Sequence, residues 1–289
     1  MVHIHPTPYS AINAKHGVMK TILFFLISGI FLYALLILVL FFMQRSLLYF
    51  PSNERPDLSQ YPAIGLEEVK LKTEDGLELI AWFIRPDPTR DGRTFLLFHG
   101  NAGHIGHRVE KFRRILEAGY GFLLLEYRGY GGNPGKPTEM GLHTDARAAL
   151  DFLASNEIPY QKVILYGESL GCGVAVRTAT EHQFSAVILE APYTSIADVA
   201  QSQYWFLPVR WLVRDRYDTL AIINSITSPV VVMHGEQDEV IHVSFGKRVF
   251  EAAPEPKTAW FFEGAGHNNL NEFGFDIQLL NYLEGNRSR

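Results

Sequence analysis

Ser169 lies in Gly167-Glu168-Ser169-Leu170-Gly171, between the apolar, β-branched run 162–166 and the small-residue run 172–180. The first run reads as a buried strand and the second as a helix able to pack closely on a sheet. A Gly-x-Ser-x-Gly turn between strand and helix pushes the serine hydroxyl out of the fold, because the glycines leave room for a strained bend. A hydroxyl displayed in this way suits nucleophilic attack on a carbonyl, provided that a base takes its proton and a third group orients the base.

Acid and base are expected later in the chain, each in the loop that follows a strand. The apolar run 229–233 ends in His234-Gly235, and the polar loop Glu236-Gln237-Asp238-Glu239 follows. Asp238 is the expected acid, with Glu236 and Glu239 as rivals in the same loop. Thr258 to Glu263 reads as the last strand, and His267 lies in the next loop, before a covering helix at 273–283. The chain has 11 histidines. His3, His5 and His16 precede a long apolar segment, while His143 and His182 fall at helix ends and are expected in solvent. His242 is the nearest rival, but it would crowd acid and base into one short loop. His267 is therefore the expected base.

A tetrahedral oxyanion needs backbone donors. One is the N–H of Leu170, the residue after the nucleophile, and the other is expected at Asn101, in the His99-Gly100-Asn101 loop after the strand 94–98. Asn101 has a simpler reading as a turn residue capping the next helix. His99 is expected to shape this loop.

These segments belong to a regular alternation. A hairpin is expected at 66–85, around the turn Glu74-Asp75-Gly76, followed by strands at 93–98, 121–127, 162–166 and 186–190 and helices at 105–118 and 138–155. Such alternation implies an α/β domain over 66–289: a mostly parallel central sheet with helices on both faces. The stretch 193–227 breaks the rhythm and is expected to form a short cap, with Tyr204, Trp205 and Trp211 touching substrate. Alternatively, these aromatics pack an extra helix onto the core.

Residues 21–43 carry no charge and are rich in Leu, Ile and Phe. About 20 such residues suffice to cross a bilayer as one N-terminal transmembrane helix. They leave residues 1–20 as a tail and 44–65, with its prolines, as a linker. Lys15, Lys20 and the amino terminus slightly outweigh Arg45 and Arg55, which favours a cytoplasmic N-terminus and a non-cytoplasmic catalytic domain. The net charge of −5 and the absence of a basic stripe argue against nucleic-acid binding. No metal-ligand spacing or phosphate loop is present, so neither metal nor organic cofactor is expected. The single cysteine, Cys172, excludes an internal disulfide.

Three spaced motifs, 99–108 (His99-Gly100-Asn101-Ala102-Gly103 onward), Glu126-Tyr127-Arg128-Gly129-Tyr130-Gly131 and Gly167-Glu168-Ser169-Leu170-Gly171, resemble the membrane-anchored α/β-hydrolase domain-containing proteins of the protein 13 type. The resemblance runs from about Leu66 to the C-terminus. It implies the α/β-hydrolase fold, with Ser169, Asp238 and His267 on the family's nucleophile, acid and base, and a serine hydrolase acting on lipid esters or thioesters. Cys172 departs from the glycine more usual at that place. A peptidase of prolyl-oligopeptidase-like type is the rival activity, although this chain has only an anchor and a linker ahead of the domain. A non-catalytic scaffold on the same fold is the other alternative.

Overall fold

The computed structural model describes residues 8–62, 64–90 and 92–285, and the chain divides into two units, 1–44 and 45–289. The first unit is the greater part of one helix, α1 (Pro8–Leu48). Within it, the 30 residues Met19–Leu48 are long and apolar enough to cross a membrane. The expected tail is thus helical from Pro8 onward, and its first seven residues lie outside the described residues.

Eight strands form the main sheet of the second unit among the described residues: β1 (Glu67–Lys72), β2 (Glu78–Ile84), β3 (Thr94–Phe98), β4 (Gly121–Leu125), β5 (Val163–Glu168), β6 (Ala186–Glu190), β7 (Val230–Gly235) and β8 (Lys257–Phe262). Their spatial order is β8-β7-β6-β5-β3-β4-β2-β1. Only the pairs β1–β2 and β2–β4 are antiparallel. Strands β3, β5, β6 and β7 are buried on both faces, which explains their continuous apolar sequences, while the edge strand β8 is only partly covered. Alternate residues supply two cores: Leu96, Leu165 and Val232 face one side, and Phe95, Ile164 and Val231 the other.

Helices α2 (Val109–Glu117) and α9 (Phe275–Gly285) cover the second of these faces, where Phe112 and Phe275 meet edge to face. Helices α3 (Glu139–Ser155), α4 (Leu170–Ala179) and α8 (Val243–Ala252) cover the first. Between β6 and β7 lie α5 (Ile196–Gln203), α6 (Val209–Leu212) and α7 (Thr219–Ile222), in the stretch expected to be a cap.

Residues 44–65 are not a loose linker. Phe50–Pro51 pairs in parallel with Ala102–Gly103, and Gly131 N–H donates to the Ser52 carbonyl. Asp57 caps a short 3₁₀ turn at Leu58–Gln60, Tyr61 O–H donates to the Gly106 carbonyl, and the Tyr61 ring meets Trp82 edge to face. Proline content alone suggested a spacer, whereas tertiary hydrogen bonds recruit the segment into the domain.

His143 is also corrected, because it is buried rather than solvated and faces Tyr217. Burial pushes its pKa down to about 4. The unfolded chain therefore takes up this proton near pH 6.5 while the folded chain resists it, so stability is complete above that value and falls toward pH 4. Going from pH 7 to pH 5 is expected to cost about 2 kcal/mol through this one group. Urea unfolding of wild type and His143→Gln at both pH values tests this. A variant with an undiminished pH slope would refute it.

Candidate active site

The elbow forms where β5 meets α4. Ser169 has φ +51° and ψ −115°, a conformation costly for a side chain with a Cβ, and it is held there on both sides. Its N–H donates to the Glu190 carbonyl at 2.9 Å, and its own carbonyl accepts from Cys172 N–H at 2.9 Å. A Cβ on Gly171 would strike the Phe98 carbonyl at the end of β3, and one on Gly167 would lie 2.6 Å from the Cys172 Cα. The glycines are thus demanded by backbone contact.

The three expected side chains converge. His267 Nε2 lies 3.1 Å from Ser169 Oγ, and its Nδ1 lies 2.7 Å from Asp238 Oδ2. An ionised carboxylate only accepts, so Nδ1 carries the proton and Nε2 is free to accept from the serine hydroxyl. Burial tends to raise the Asp238 pKa, but hydrogen bonds from His234 and His267 hold it well below the usual carboxylate range. Its Oδ1 accepts from Val240 and Ile241 N–H, both at 2.8 Å. The rivals Glu236 and Glu239 are exposed, and His242 is exposed at the start of α8, paired with Ser244.

His234 is a site residue that sequence reasoning missed. Its Nε2 lies 2.8 Å from the Ile241 carbonyl and 3.2 Å from Asp238 Oδ2, so that nitrogen faces two acceptors and carries the proton. The ring packs against Gly246, where a Cβ would collide with its Nδ1. The available signal was its place as the last side chain of β7 before Gly235. Two backbone bonds then join the acid and base loops, Glu236 N–H to the Phe262 carbonyl and Gln237 N–H to the Ala265 carbonyl.

Leu170 opens α4, where an N–H has no intrahelical acceptor. Asn101 uses its other groups elsewhere. Its side chain donates to the Leu48 carbonyl at 2.8 Å, and its carbonyl accepts from Phe50 N–H and Tyr130 O–H. Instead of capping the following turn, a role taken by His104, the Asn101 side chain closes the C-terminal end of α1. His99 is fully buried, with Nδ1 2.7 Å from the Gly100 carbonyl, Nε2 3.3 Å from Glu126 Oε1 and its ring against Tyr127.

A charged cluster underlies the elbow. Arg108 and Lys111 reach Glu168 at 3.1 and 3.2 Å, and Lys111 also reaches Glu190 at 2.6 Å. Burial alone would raise the Glu168 pKa, yet the two cations hold it well below its ordinary range. Cys172 is buried beside this cluster, and its thiol donates to the Gly167 and Glu190 carbonyls. Desolvation pushes that thiol's pKa well up, so it is a packing group and a poor nucleophile.

The cap aromatics are not packed onto the core. Trp205 is 80% exposed and Trp211 91%, and Tyr204 and Phe206 are exposed as well. Gln203 Nε2 donates to the Val240 carbonyl, tying the end of α5 to the acid loop. Among the described residues no group of His, Cys, Asp and Glu is arranged to hold a metal ion.

Comparison with known proteins places this geometry in context. The family described as Serine aminopeptidase, S33 (Hydrolase_4) matches residues 90–222. An uncharacterized protein of Mycobacterium tuberculosis is 38% identical over 228 residues, covering 78% of this chain and 81% of the relative. The alpha/beta hydrolase domain-containing protein 17B of Homo sapiens is 34% identical over 222 residues, covering 75% of this chain and 74% of the relative. Among solved structures, the esterase Pf2001 of Pyrococcus furiosus aligns with a TM-score of 0.63 at 20% identity, over 81% of this chain and 98% of that one.

Gly171→Ala is expected to destabilise the domain by about 3 kcal/mol, because the added methyl must displace the β3 backbone. Thermal unfolding within about 0.5 kcal/mol of wild type would contradict the close approach described here.

Proposed function

We propose that this chain, which belongs to the α/β-hydrolase domain-containing proteins, is a membrane-anchored serine hydrolase that cleaves a lipid or acyl ester or thioester. The observation that carries this reading is the continuous relay from Asp238 through His267 to Ser169, with the serine held at positive φ. In the first half-reaction Ser169 Oγ attacks the carbonyl carbon and gives its proton to His267 Nε2. Asp238 stabilises the imidazolium, and the carbonyl oxygen becomes an oxyanion accepting from the N–H groups of Leu170 and Asn101. The intermediate collapses, His267 protonates the leaving alcohol or thiol, and the acyl group stays on Ser169. Water then repeats the sequence: His267 takes its proton, the hydroxide adds to the acyl carbon, and the free acid leaves as Ser169 recovers its proton.

Buried His234 supports the same reading. Its N–H and those of Val240 and Ile241 keep Asp238 ionised and aimed at His267. Tyr204, Trp205 and Trp211 are assigned to the approach of the acyl chain, supported by the tie between α5 and the acid loop. The anchor is α1, whose apolar segment has the length and composition of a span. The weak positive bias ahead of it favours an N-terminus in the cytoplasm and a catalytic domain outside.

Ser169→Ala is expected to remove fluorophosphonate labelling and to lower kcat/KM for acyl esters by at least about 10⁴-fold. Retention of labelling, or of full esterase activity, would overturn the nucleophile. Asp238→Asn is expected to lower kcat by on the order of 10⁴-fold with little change in KM, since it disturbs the tautomer of His267. An unchanged kcat would remove Asp238 from the mechanism.

A second reading, hydrolysis of peptide amides, draws on the name of the matching family. Parallel assays of acyl esters and aminoacyl amides separate the two, and a higher kcat/KM for the amides would replace the ester reading. Labelling of intact against permeabilised cells by an impermeant fluorophosphonate reports which side the domain faces.

A further inference from the structure

The strongest unexplained feature of the domain is the set of large apolar side chains that it leaves in solvent. Tyr204, Trp205, Phe206 and Trp211 are exposed within eight residues of chain. A domain that buries its central strands has no folding reason to leave two indoles and a phenyl ring in solvent, with Trp205 and Phe206 edge to face.

Their place in the fold says what should cover them. Arg45 lies in the last turn of α1, and its guanidinium is bound by Asp215 through two hydrogen bonds, of 2.7 and 3.1 Å. Tyr49 O–H meets Tyr217 O–H at 2.9 Å. Asp215 and Tyr217 lie four and six residues after Trp211, and Arg216 turns back to the carbonyl of Arg210, next to Trp211. The other side of the same junction is Glu139, whose carboxylate accepts from Arg216 N–H and whose N–H donates to Asp215. Three chain segments that meet at this junction also carry exposed apolar residues close by in sequence: Leu47 and Phe50, Met140, and the cap aromatics. The point at which the chain emerges from its span is therefore fastened to the very segment that carries the exposed rings.

Composition agrees with a lipid interface. Tryptophan and tyrosine favour the headgroup level, where an apolar ring body and a polar N–H or O–H are both satisfied. We propose that the cap segment 204–211 inserts its aromatic side chains into the headgroup region of the bilayer crossed by α1, so that the domain lies cap-down on the membrane. This rests on the reading of α1 as a span. The bilayer then faces the side of the domain on which α5 is tied to the acid loop.

The chain is well made for a test. Its four tryptophans are Trp82, Trp205, Trp211 and Trp260, and none lies in α1. Trp82 is fully buried, and Trp260 is partly covered by Tyr282. The full chain is reconstituted into vesicles of phosphatidylcholine and phosphatidylglycerol, with or without phosphatidylcholine brominated near the headgroup end of its acyl chains. Co-flotation with the vesicles reports the anchor, and loss of tryptophan emission reports ring insertion. Wild type is expected to float and to lose about half of its emission in brominated vesicles, because two of the four indoles are exposed. Trp205→Phe/Trp211→Phe is expected to float equally and to lose the quenching. Both side chains are in solvent within the fold, so folding is preserved, and circular dichroism checks it. A wild-type chain that floats with unchanged emission would overturn the inference while leaving the anchor intact, as would a double variant that is still quenched. That first outcome would also point to a protein partner on the patch. A chain that fails to float would overturn the anchor and this proposal together.

Discussion

One backbone conformation governs the site: Ser169 at positive φ. Holding a serine there costs on the order of 1–3 kcal/mol, which only surrounding structure can offset. Here the restraint is mechanical. The Ser169 N–H is bonded to the end of β6, its carbonyl to Cys172, and α4 is drawn against β3 so closely that Gly171 has no room for a methyl group. The hydroxyl is displayed because the backbone beneath it cannot relax.

Electrostatics reinforce that restraint from below and from the side. Glu168 and Glu190 close β5 and β6, and Lys111 pairs with both while Arg108 pairs with Glu168, so that two cations balance two carboxylates. Isolated buried carboxylates at this place would be strongly unfavourable, and paired with α2 they fasten that helix to the elbow. On the other flank, Asp238 gathers four hydrogen-bond donors, His234, His267 and two backbone N–H groups. It is thereby kept ionised and fixed in direction, which in turn fixes the tautomer of His267.

The segment that follows α1 is built into the apparatus. Asn101 holds the Leu48 carbonyl with its side chain, and Phe50–Pro51 runs beside Ala102–Gly103. The loop assigned to the oxyanion is thus built partly from residues adjacent to the proposed span. Asp215 and Tyr217 bind Arg45 and Tyr49 on the cap side. Loop and cap are both hydrogen-bonded to residues 45–51.

Much of this was legible in the chain itself. Strand runs at β3, β5, β6 and β7 are continuous and apolar because parallel strands are buried on both faces, so composition alone locates them. The Gly-x-Ser-x-Gly turn is legible because backbone contact admits nothing but glycine at 167 and 171. Chain order then narrows the acid to the loop Glu236–Glu239 and the base to His267, since each must follow a strand of the same sheet, and within that loop the family resemblance singles out Asp238. Other features have no local signature. His234 reads as a strand residue until the fold sets it against Asp238, and the solvated reading of His143 failed because its neighbour, Tyr217, is distant in sequence. Residues 44–65 read as a linker because prolines and polar residues describe local stiffness, not the hydrogen bonds that the segment finds. The exposure of Trp205 and Trp211 was likewise decided by packing. Sequence determines which surfaces must be buried and which turns must be tight, through side-chain chemistry and steric need. Tertiary structure alone decides which distant polar groups meet, because that depends on how the buried surfaces are brought together.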